Sequence, residues 1–406
     1  MGSVMFFKGI HFEFLSNIEA IPAQFRIVWS SYVLDSRTIK ASHLKLFADQ
    51  YELWGDMRGN LSDHSDAMLS VGTGGRNTLR GSERNDFILG HEGNDKLVGG
   101  GGADFLHAGH GDDTIKLGGG FFNRAKGGDG NDMIRGGSGM DWAHGNSGND
   151  VLRLKKGDDK GYGGGGNDAL FGGSGRDWLQ GAEGNDTLNG GAGRDTLHGG
   201  SGADLIEDRM GRDWLDGGSG NDTLISRSDA GTPDMKVDDV DISSIDLDRW
   251  SDRLTGGDGA DEFRFVYEMN TTDEIAARNL NADGSVNWMM VMQENMNAHD
   301  HWVDWGGTDR IEDFNAAEGD TIVIDGHTVN IMALDFVDLD NNGSLESTLI
   351  TVYSDQAAQM MMMGMGGMPM AHDRDFLGLI VVENVIVDMD DITIMNMSME
   401  ARFDFI

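Results

Sequence analysis

The 406-residue chain has no cysteine, three prolines, five tyrosines and only 31 basic side chains against 69 acidic ones. Without cysteine it forms no disulfide, builds no thiolate metal site and carries no cysteine nucleophile. The shortage of positive charge gives a formal net charge of −38. That argues against nucleic acid as a partner, because phosphate binding needs a basic surface. No apolar run approaches the roughly 20 residues of a membrane-spanning helix. Met1 to Leu15 has one lysine, a broken apolar stretch and no small-residue cleavage pattern, so a secretory signal peptide is not expected there. Two catalytic signatures are missing as well, the His-Glu-x-x-His zinc helix and the Gly-x-Ser-x-Gly elbow. No catalytic residue is assigned, although residues 265 to 406 leave room for an acid–base pair that only spatial information would reveal.

What is abundant is glycine, and it is concentrated. Of 62 glycines, 44 lie between Gly72 and Ile225, where the chain repeats every nine residues. Representative copies are Gly127-Gly-Asp-Gly-Asn-Asp132-Met-Ile-Arg135, Gly172-Gly-Ser-Gly-Arg-Asp177-Trp-Leu-Gln180 and Gly217-Gly-Ser-Gly-Asn-Asp222-Thr-Leu-Ile225. Five copies run from Gly72 to Lys116, an irregular ten-residue copy spans Leu117 to Lys126, and eleven more follow to Ile225. A flexible glycine-rich linker would not hold aspartate and leucine at fixed phase.

The pattern Gly-Gly-x-Gly-x-Asp-x-U-x, with U a large aliphatic residue, has a physical reading. Glycine supplies the positive φ of a tight loop and leaves backbone carbonyls open to a ligand. The x-U-x triplet is a short strand with one side chain inward. Eighteen residues then complete one coil of two strands and two turns. One aliphatic side chain per nine residues is a thin core to set against chain entropy. The position-six aspartates stack in the turns two repeats apart, where unscreened they repel. Ca²⁺ bridged by carboxylate and loop carbonyl oxygens would turn that repulsion into cross-linking.

The array resembles the haemolysin-type calcium-binding repeat, the RTX parallel β-roll. The resemblance implies an all-β parallel roll that binds several Ca²⁺ ions through its position-six aspartates and loop carbonyls. Those residues are Asp86, Asp95, Asp104, Asp113, Asp132, Asp141, Asp150, Asp159, Asp168, Asp177, Asp186, Asp195, Asp204, Asp213 and Asp222. A late copy at Gly256 adds Asp261. Three copies depart from the pattern. Asn77 replaces aspartate in the first. Leu154 to Tyr162 lacks its leading glycines and its inward aliphatic residue, and Lys155 or Lys156 is expected to supply charge in place of a cation. The copy beginning at Asp208 lacks its first two glycines. Altered or empty rungs are expected at these copies.

The expected organisation is an N-terminal β cap over residues 1–71, the roll over 72–225, an acidic linker over 226–255 and a C-terminal β region over 256–406. In the cap, Phe25 to Trp29 and Tyr51 to Trp54 read as strands, with a helix from Ala41 to Trp54 as the rival. Beyond the linker, Asp309-Arg-Ile311-Glu-Asp313-Phe314 and Gly319-Asp320-Thr-Ile322 are similar to the segment that often closes RTX proteins. Strands at Leu349 to Tyr353 and Leu377 to Ile386 suggest a terminal β-sandwich or a continued roll. The ending Phe403-Asp404-Phe405-Ile406 is similar to the uncleaved export signal of type I secretion substrates. That likeness implies a type I machinery as partner and an extracellular or cell-surface location. Low intracellular Ca²⁺ would keep the repeats unfolded for export, and millimolar Ca²⁺ outside would fold them.

Smaller groupings remain. Asp338, Asp340, Asn342 and Glu346 have the spacing of an EF-hand-type calcium loop without its twelfth-position glutamate, the alternative being an acidic turn. Asn279 to Ser285 has similar spacing with weaker ligands and reads as a turn. His299 and His301 share one strand face, as a transition-metal pair or as plain surface residues. Met360 to Met370 is a methionine–glycine tract, read as a contact loop ahead of a Cu(I) site. Trp142, Trp178 and Trp214 recur every 36 residues at position seven, outward on one face. They form either a ladder for sugar rings or a face covered by protein, including another copy of the chain. Three functions follow: a secreted, calcium-folded structural or adhesive protein able to form homo-oligomers or filaments, a polysaccharide-binding module, or a polysaccharide-modifying enzyme.

Overall fold

A computed structural model describes residues 5–7, 10–12, 26–29, 32–34, 68–227, 252–267, 307–326, 329–337, 345–354 and 375–396. Among them there is no α-helix. Apart from one 3-10 turn at Met389–Asp391, the regular structure is strand. The chain divides into two units, Met1–Gly145 and Asn146–Ile406.

In the first unit, successive strands alternate between two parallel sheets. One runs Arg26–Trp29, Met68–Val71, Phe87–Glu92, Phe105–His110 and Phe122–Asp129, with Tyr32–Leu34 added antiparallel at its edge. The other runs Thr78–Arg80, Lys96–Gly100, Thr114–Gly118 and Met133–Arg135. The expected strand at Phe25 to Trp29 is therefore present, whereas Tyr51 to Trp54 and the rival helix lie outside the described residues. Residues 5–7 and 10–12 pair as an antiparallel hairpin.

The second unit repeats the arrangement. Val151–Lys156, Ala169–Gly175, Thr187–Gly193, Leu205–Asp208 and Thr223–Arg227 form one parallel sheet. Lys160–Gly165, Trp178–Glu183, Thr196–Ser201 and Trp214–Ser219 form the other. The ladders do not stop at Ile225. Glu262–Tyr267, Thr321–Gly326 and Ile392–Asn396 extend the first sheet. Arg253–Asp258, Gly307–Ile311 and Asp375–Val382 extend the second, which then ends in antiparallel Ser347–Ser354 and Val329–Val337. Of the two possibilities for the C-terminal region, the continued roll is the one observed. Trp214 pairs directly with Arg253, so these two neighbouring strands are further apart in the chain than the 18 residues usual within the array.

The strands are longer than the three-residue triplet. Trp178–Glu183 is half-buried at Trp178, buried at Leu179, half-buried at Gln180 and buried again at Gly181. Each rung thus has two inward positions, the aliphatic eighth and the first of the next copy. The second was invisible in the hydrophobic pattern because glycine usually fills it. Leu188, Leu197, Ile206, Leu215 and Leu224 at position eight are fully buried, as expected for the core. The same rule explains the aberrant copy at Leu154. Gly161 leaves the eighth position empty, and Leu154 at the first position is fully buried beside it. The core residue is displaced and not lost. Lys155 and Lys156 are exposed.

Candidate metal centre

Turn geometry brings the position-six aspartates together. Each is buried at the inner edge of a turn, with a relative exposure of 3% or less from Asp86 to Asp222. In the second unit the backbone N–H of one aspartate donates to Oδ1 of the aspartate 18 residues later. The distances are 2.7 Å for Asp168 to Asp186, 2.7 Å for Asp186 to Asp204 and 2.8 Å for Asp204 to Asp222. The opposite turns repeat this from Asp159 to Asp177 (2.8 Å), Asp177 to Asp195 (2.7 Å) and Asp195 to Asp213 (2.7 Å). In the first unit Asp86 donates to Asp104 at 2.9 Å and Asp95 to Asp113 at 2.5 Å. One oxygen of each stacked carboxylate is thereby fixed by the backbone of the neighbouring turn.

The other oxygen carries the chemistry. Oδ2 of Asp95, Asp104, Asp113, Asp168, Asp177, Asp186, Asp195, Asp204, Asp213, Asp222 and Asp261 is buried and receives no hydrogen bond. A buried polar atom without a partner is costly and calls for an ion or ligand. Burial, reinforced by neighbouring carboxylates, raises the proton affinity of Asp177, Asp186 and Asp222 to about 7 and of Asp104 to about 8. Without a cation these groups favour the neutral form. Hard oxygen donors, recurring in pairs beside open glycine loops, suit Ca²⁺. Most glycines at the second and fourth positions hold positive φ, as at Gly173 (114°) and Gly175 (132°). They bend the loop that faces the carboxylates. Even the substitutes His91, Asn146, Lys155 and Ala182 at position two adopt φ between 82° and 91°.

Several participants were not singled out from sequence. Asn123 in the irregular copy occupies an aspartate position: it accepts from the N–H of Asp104 at 3.0 Å and donates to Asp141 at 2.8 Å. That rung is neutral on one side. Asp252 continues the column beyond the linker, accepting from Asp213 at 2.9 Å. Asp261 accepts from Asp222 at 2.8 Å and donates to Asp320 at 3.0 Å. Ser226 Oγ lies 3.1 Å from Asp252 Oδ2 and 3.2 Å from Asp309 Oδ2. Asp309 and Asp320 were read from sequence only as part of the closing segment, and Asp252 carries the same Asp-x-Leu signal without the glycines that made the other copies stand out. Position five also has a role. Asn149 accepts from Asn167 at 2.8 Å and Asn167 from Asn185 at 2.9 Å, forming an asparagine ladder along the turns.

Other predicted groups fare differently. Asp338, Asp340 and Asn342 lie outside the described residues, and Glu346 is half-buried before Ser347–Ser354. His299, His301, the methionine tract, Asn279 to Ser285 and Phe403 to Ile406 also lie outside them. In the first unit Trp142 is half-buried, 5.4 Å from Phe122 edge to face, with the Arg124 guanidinium 5.8 Å from its ring centre. In the second unit Trp178 lies between Tyr162 (4.8 Å) and His198 (5.7 Å), and Trp214 packs on His198 at 5.6 Å. Position-nine side chains thus interleave with the tryptophans, and Trp214 remains 45% exposed.

Parallel coils, positive-φ glycine turns and a stacked column of buried carboxylates define a calcium-binding β-roll. Residues 71–121 and 126–232 match the RTX calcium-binding nonapeptide repeat in overlapping four-copy segments at 71–106, 90–121, 126–161, 162–197, 190–224 and 198–232. This part of the chain accordingly carries RTX calcium-binding nonapeptide repeats. No curated protein matches it. Among solved structures it is similar to the extracellular lipase LipA from Serratia marcescens, at 15% identity and a TM-score of 0.15. That match covers 83% of this chain and 41% of the lipase. The chain thus spans well under half of the lipase's length.

Proposed function

We propose that this is a type I secretion substrate whose roll folds on extracellular Ca²⁺ and then serves as a structural or adhesive protein at the cell surface or in the matrix. The observation that carries the reading is the column of buried, donor-less Oδ2 atoms in successive turns. In calcium-poor cytoplasm such carboxylates repel and oppose folding. In calcium-rich medium, ions held by Asp86 through Asp222, with Asp261, tie each turn to the next. Folding and export are coupled by concentration alone. Calcium titration of the full chain, followed by circular dichroism and light scattering, tests this. Cooperative gain of β signal at sub-millimolar to millimolar Ca²⁺ is expected, with growth of particle size marking self-assembly. No gain in β signal refutes the reading, and folding without growth removes the filament part alone.

The aromatic strip favours a second reading, polysaccharide binding. Tyr162, Trp178, His198 and Trp214 form a continuous run of rings, with Trp214 half open to solvent. Their planes are tilted by 47° to 67° against one another, so each ring offers a sugar an edge and part of one face. Binding to glycan arrays that survives in the Trp178→Ala, Trp214→Ala double variant would remove this reading.

A further inference from the structure

One turn in the second unit differs from all its neighbours. The first position of a copy points inward, and from Gly72 to Ile225 it is glycine or, at Ala108, Leu117 and Leu154, an apolar residue. Asp208 alone places a charge there. Its side chain is fully buried. Oδ1 accepts from the backbone N–H of Arg209 at 2.7 Å and of Gly191 at 3.1 Å. Oδ2 is buried with no donor, as are Oδ2 of Asp195 and Asp213.

The three carboxylates converge. A carboxylate oxygen from each of Asp195, Asp208 and Asp213 lies within 4.8 Å of the other two. Oδ2 of both Asp195 and Asp208 would stand 2.7 Å from a Cβ on Gly190, so both face the space that glycine leaves open. Ligands on opposite sides of a Ca²⁺ ion with bonds of about 2.4 Å are about 4.8 Å apart, so all three oxygens can reach one ion. Asp252 adds a further negative field on Asp208. The adjacent Arg209 side chain instead lies 3.5 Å from Glu207, more than half exposed. Burial and mutual repulsion push the Asp208 and Asp213 carboxyls well above the usual range.

We propose that Asp195, Asp208 and Asp213 form a three-carboxylate cation site that binds Ca²⁺ ahead of the ordinary turns and favours trivalent ions over divalent ones. The inference rests on the reading of the turns as calcium sites and goes beyond it, because the additional ligand comes from a position that is glycine in the repeat. Three negative charges around one ion leave a net charge of −1 with Ca²⁺ and zero with a lanthanide. A two-aspartate turn is already neutral with Ca²⁺. Placing a third carboxylate beside two others, buried among glycine and aliphatic neighbours, is otherwise unfavourable.

The test is Tb³⁺ and Ca²⁺ binding to the full chain, by sensitised luminescence and isothermal titration, in wild type, Asp208→Gly and Asp208→Asn. Glycine is the residue of the preceding rung at Gly190, so that variant keeps the turn, and asparagine keeps the shape without the charge. Wild type is expected to show one step at least tenfold tighter than the others. Both variants should lose that step by at least tenfold, and Tb³⁺ preference should fall with it, while calcium-dependent β signal persists. An unchanged tight step in both variants, or its absence in wild type, overturns the three-carboxylate site and leaves the calcium roll intact. Failure of wild type to gain β signal with Ca²⁺ overturns the underlying reading instead.

Discussion

If buried carboxylates are what keep the calcium-free roll from folding, protons should replace calcium. In the second unit Asp177, Asp186 and Asp222 rise from an ordinary 3.8 to about 7, and Asp195 to about 6, chiefly because burial disfavours their charge. A carboxyl that holds its proton more tightly folded than unfolded stabilises the fold while protonated. That contribution is fully present below about pH 3.8 and is lost as pH rises through 6 to 7. A rise of about three pH units corresponds to about 4 kcal/mol per group. Halving this for solvent screening at the turn leaves about 2 kcal/mol each. Asp195, with a rise of about two pH units, adds about 1.5 kcal/mol, so the four groups together cost about 7 kcal/mol at pH 8, comparable with the roughly 5–15 kcal/mol net stability of a folded domain.

The assay is far-UV circular dichroism of the full chain in EGTA from pH 8.5 to pH 5, at two protein concentrations to separate folding from association. Low β signal is expected at pH 8.5, rising as pH falls through 7 and 6, with added Ca²⁺ giving the same signal at pH 8.5. Full β signal in EGTA at pH 8.5 would refute the reasoning, since ionised carboxylates would then be tolerated without a cation. So would a signal that stays low down to pH 5.

Three further outcomes follow from the same geometry. Calcium binding at pH 7 should release protons from the carboxyls near 7, so titration heats should differ between Pipes and Tris by their ionisation enthalpies, and identical heats would contradict the raised affinities. Gly184→Ala puts a Cβ 1.9 Å from the carbonyl oxygen of Gly166 at a φ of 123°, and should cost at least about 2 kcal/mol in denaturant unfolding with saturating Ca²⁺. Leu188→Ala, which empties a fully buried core position, should cost about 2–5 kcal/mol in the same assay, against less than about 0.5 kcal/mol for the outward Thr187→Ala.

How far the sequence could be read depended on whether a residue's job leaves a periodic trace. Leucine at position eight and aspartate at position six recur at fixed phase, and both were found where expected. Position one was misjudged because glycine there has no side chain to mark an inward direction. That concealed the compensation of Gly161 by Leu154 and the charge brought inside by Asp208. Asp252, Asp309 and Asp320 were overlooked as rungs because insertions separate them from the array, so the spacing of 18 is broken although the stacking is not. The exchange of Asn123 for aspartate was hidden by a single inserted residue, which lengthens the interval from Asp104 to 19.

Within the array from Gly127 to Ile225, position four is glycine and position six is aspartate in every copy, whereas positions one and two admit leucine, lysine, alanine and asparagine. Turn-to-turn contacts explain the difference. At position four a Cβ would meet the carbonyl of the preceding turn at 1.8 Å for Gly175, 1.9 Å for Gly184 and 2.0 Å for Gly202. That contact cannot be relieved without separating the turns. Separation would in turn pull each aspartate N–H from the Oδ1 it reaches at 2.7 to 2.8 Å. Position two faces a similar approach, 2.0 Å at Gly173 and 2.2 Å at Gly200, yet the residues there stack on Lys155 and Ala182. One side chain at every second turn is therefore accommodated as long as glycine lies above it. Position one meets the carboxylate itself, as Gly172 does Asp177 at 2.4 Å, so a side chain there must either displace the carboxylate or become part of its site. Leu154 enters the core, and Asp208 becomes the third carboxylate.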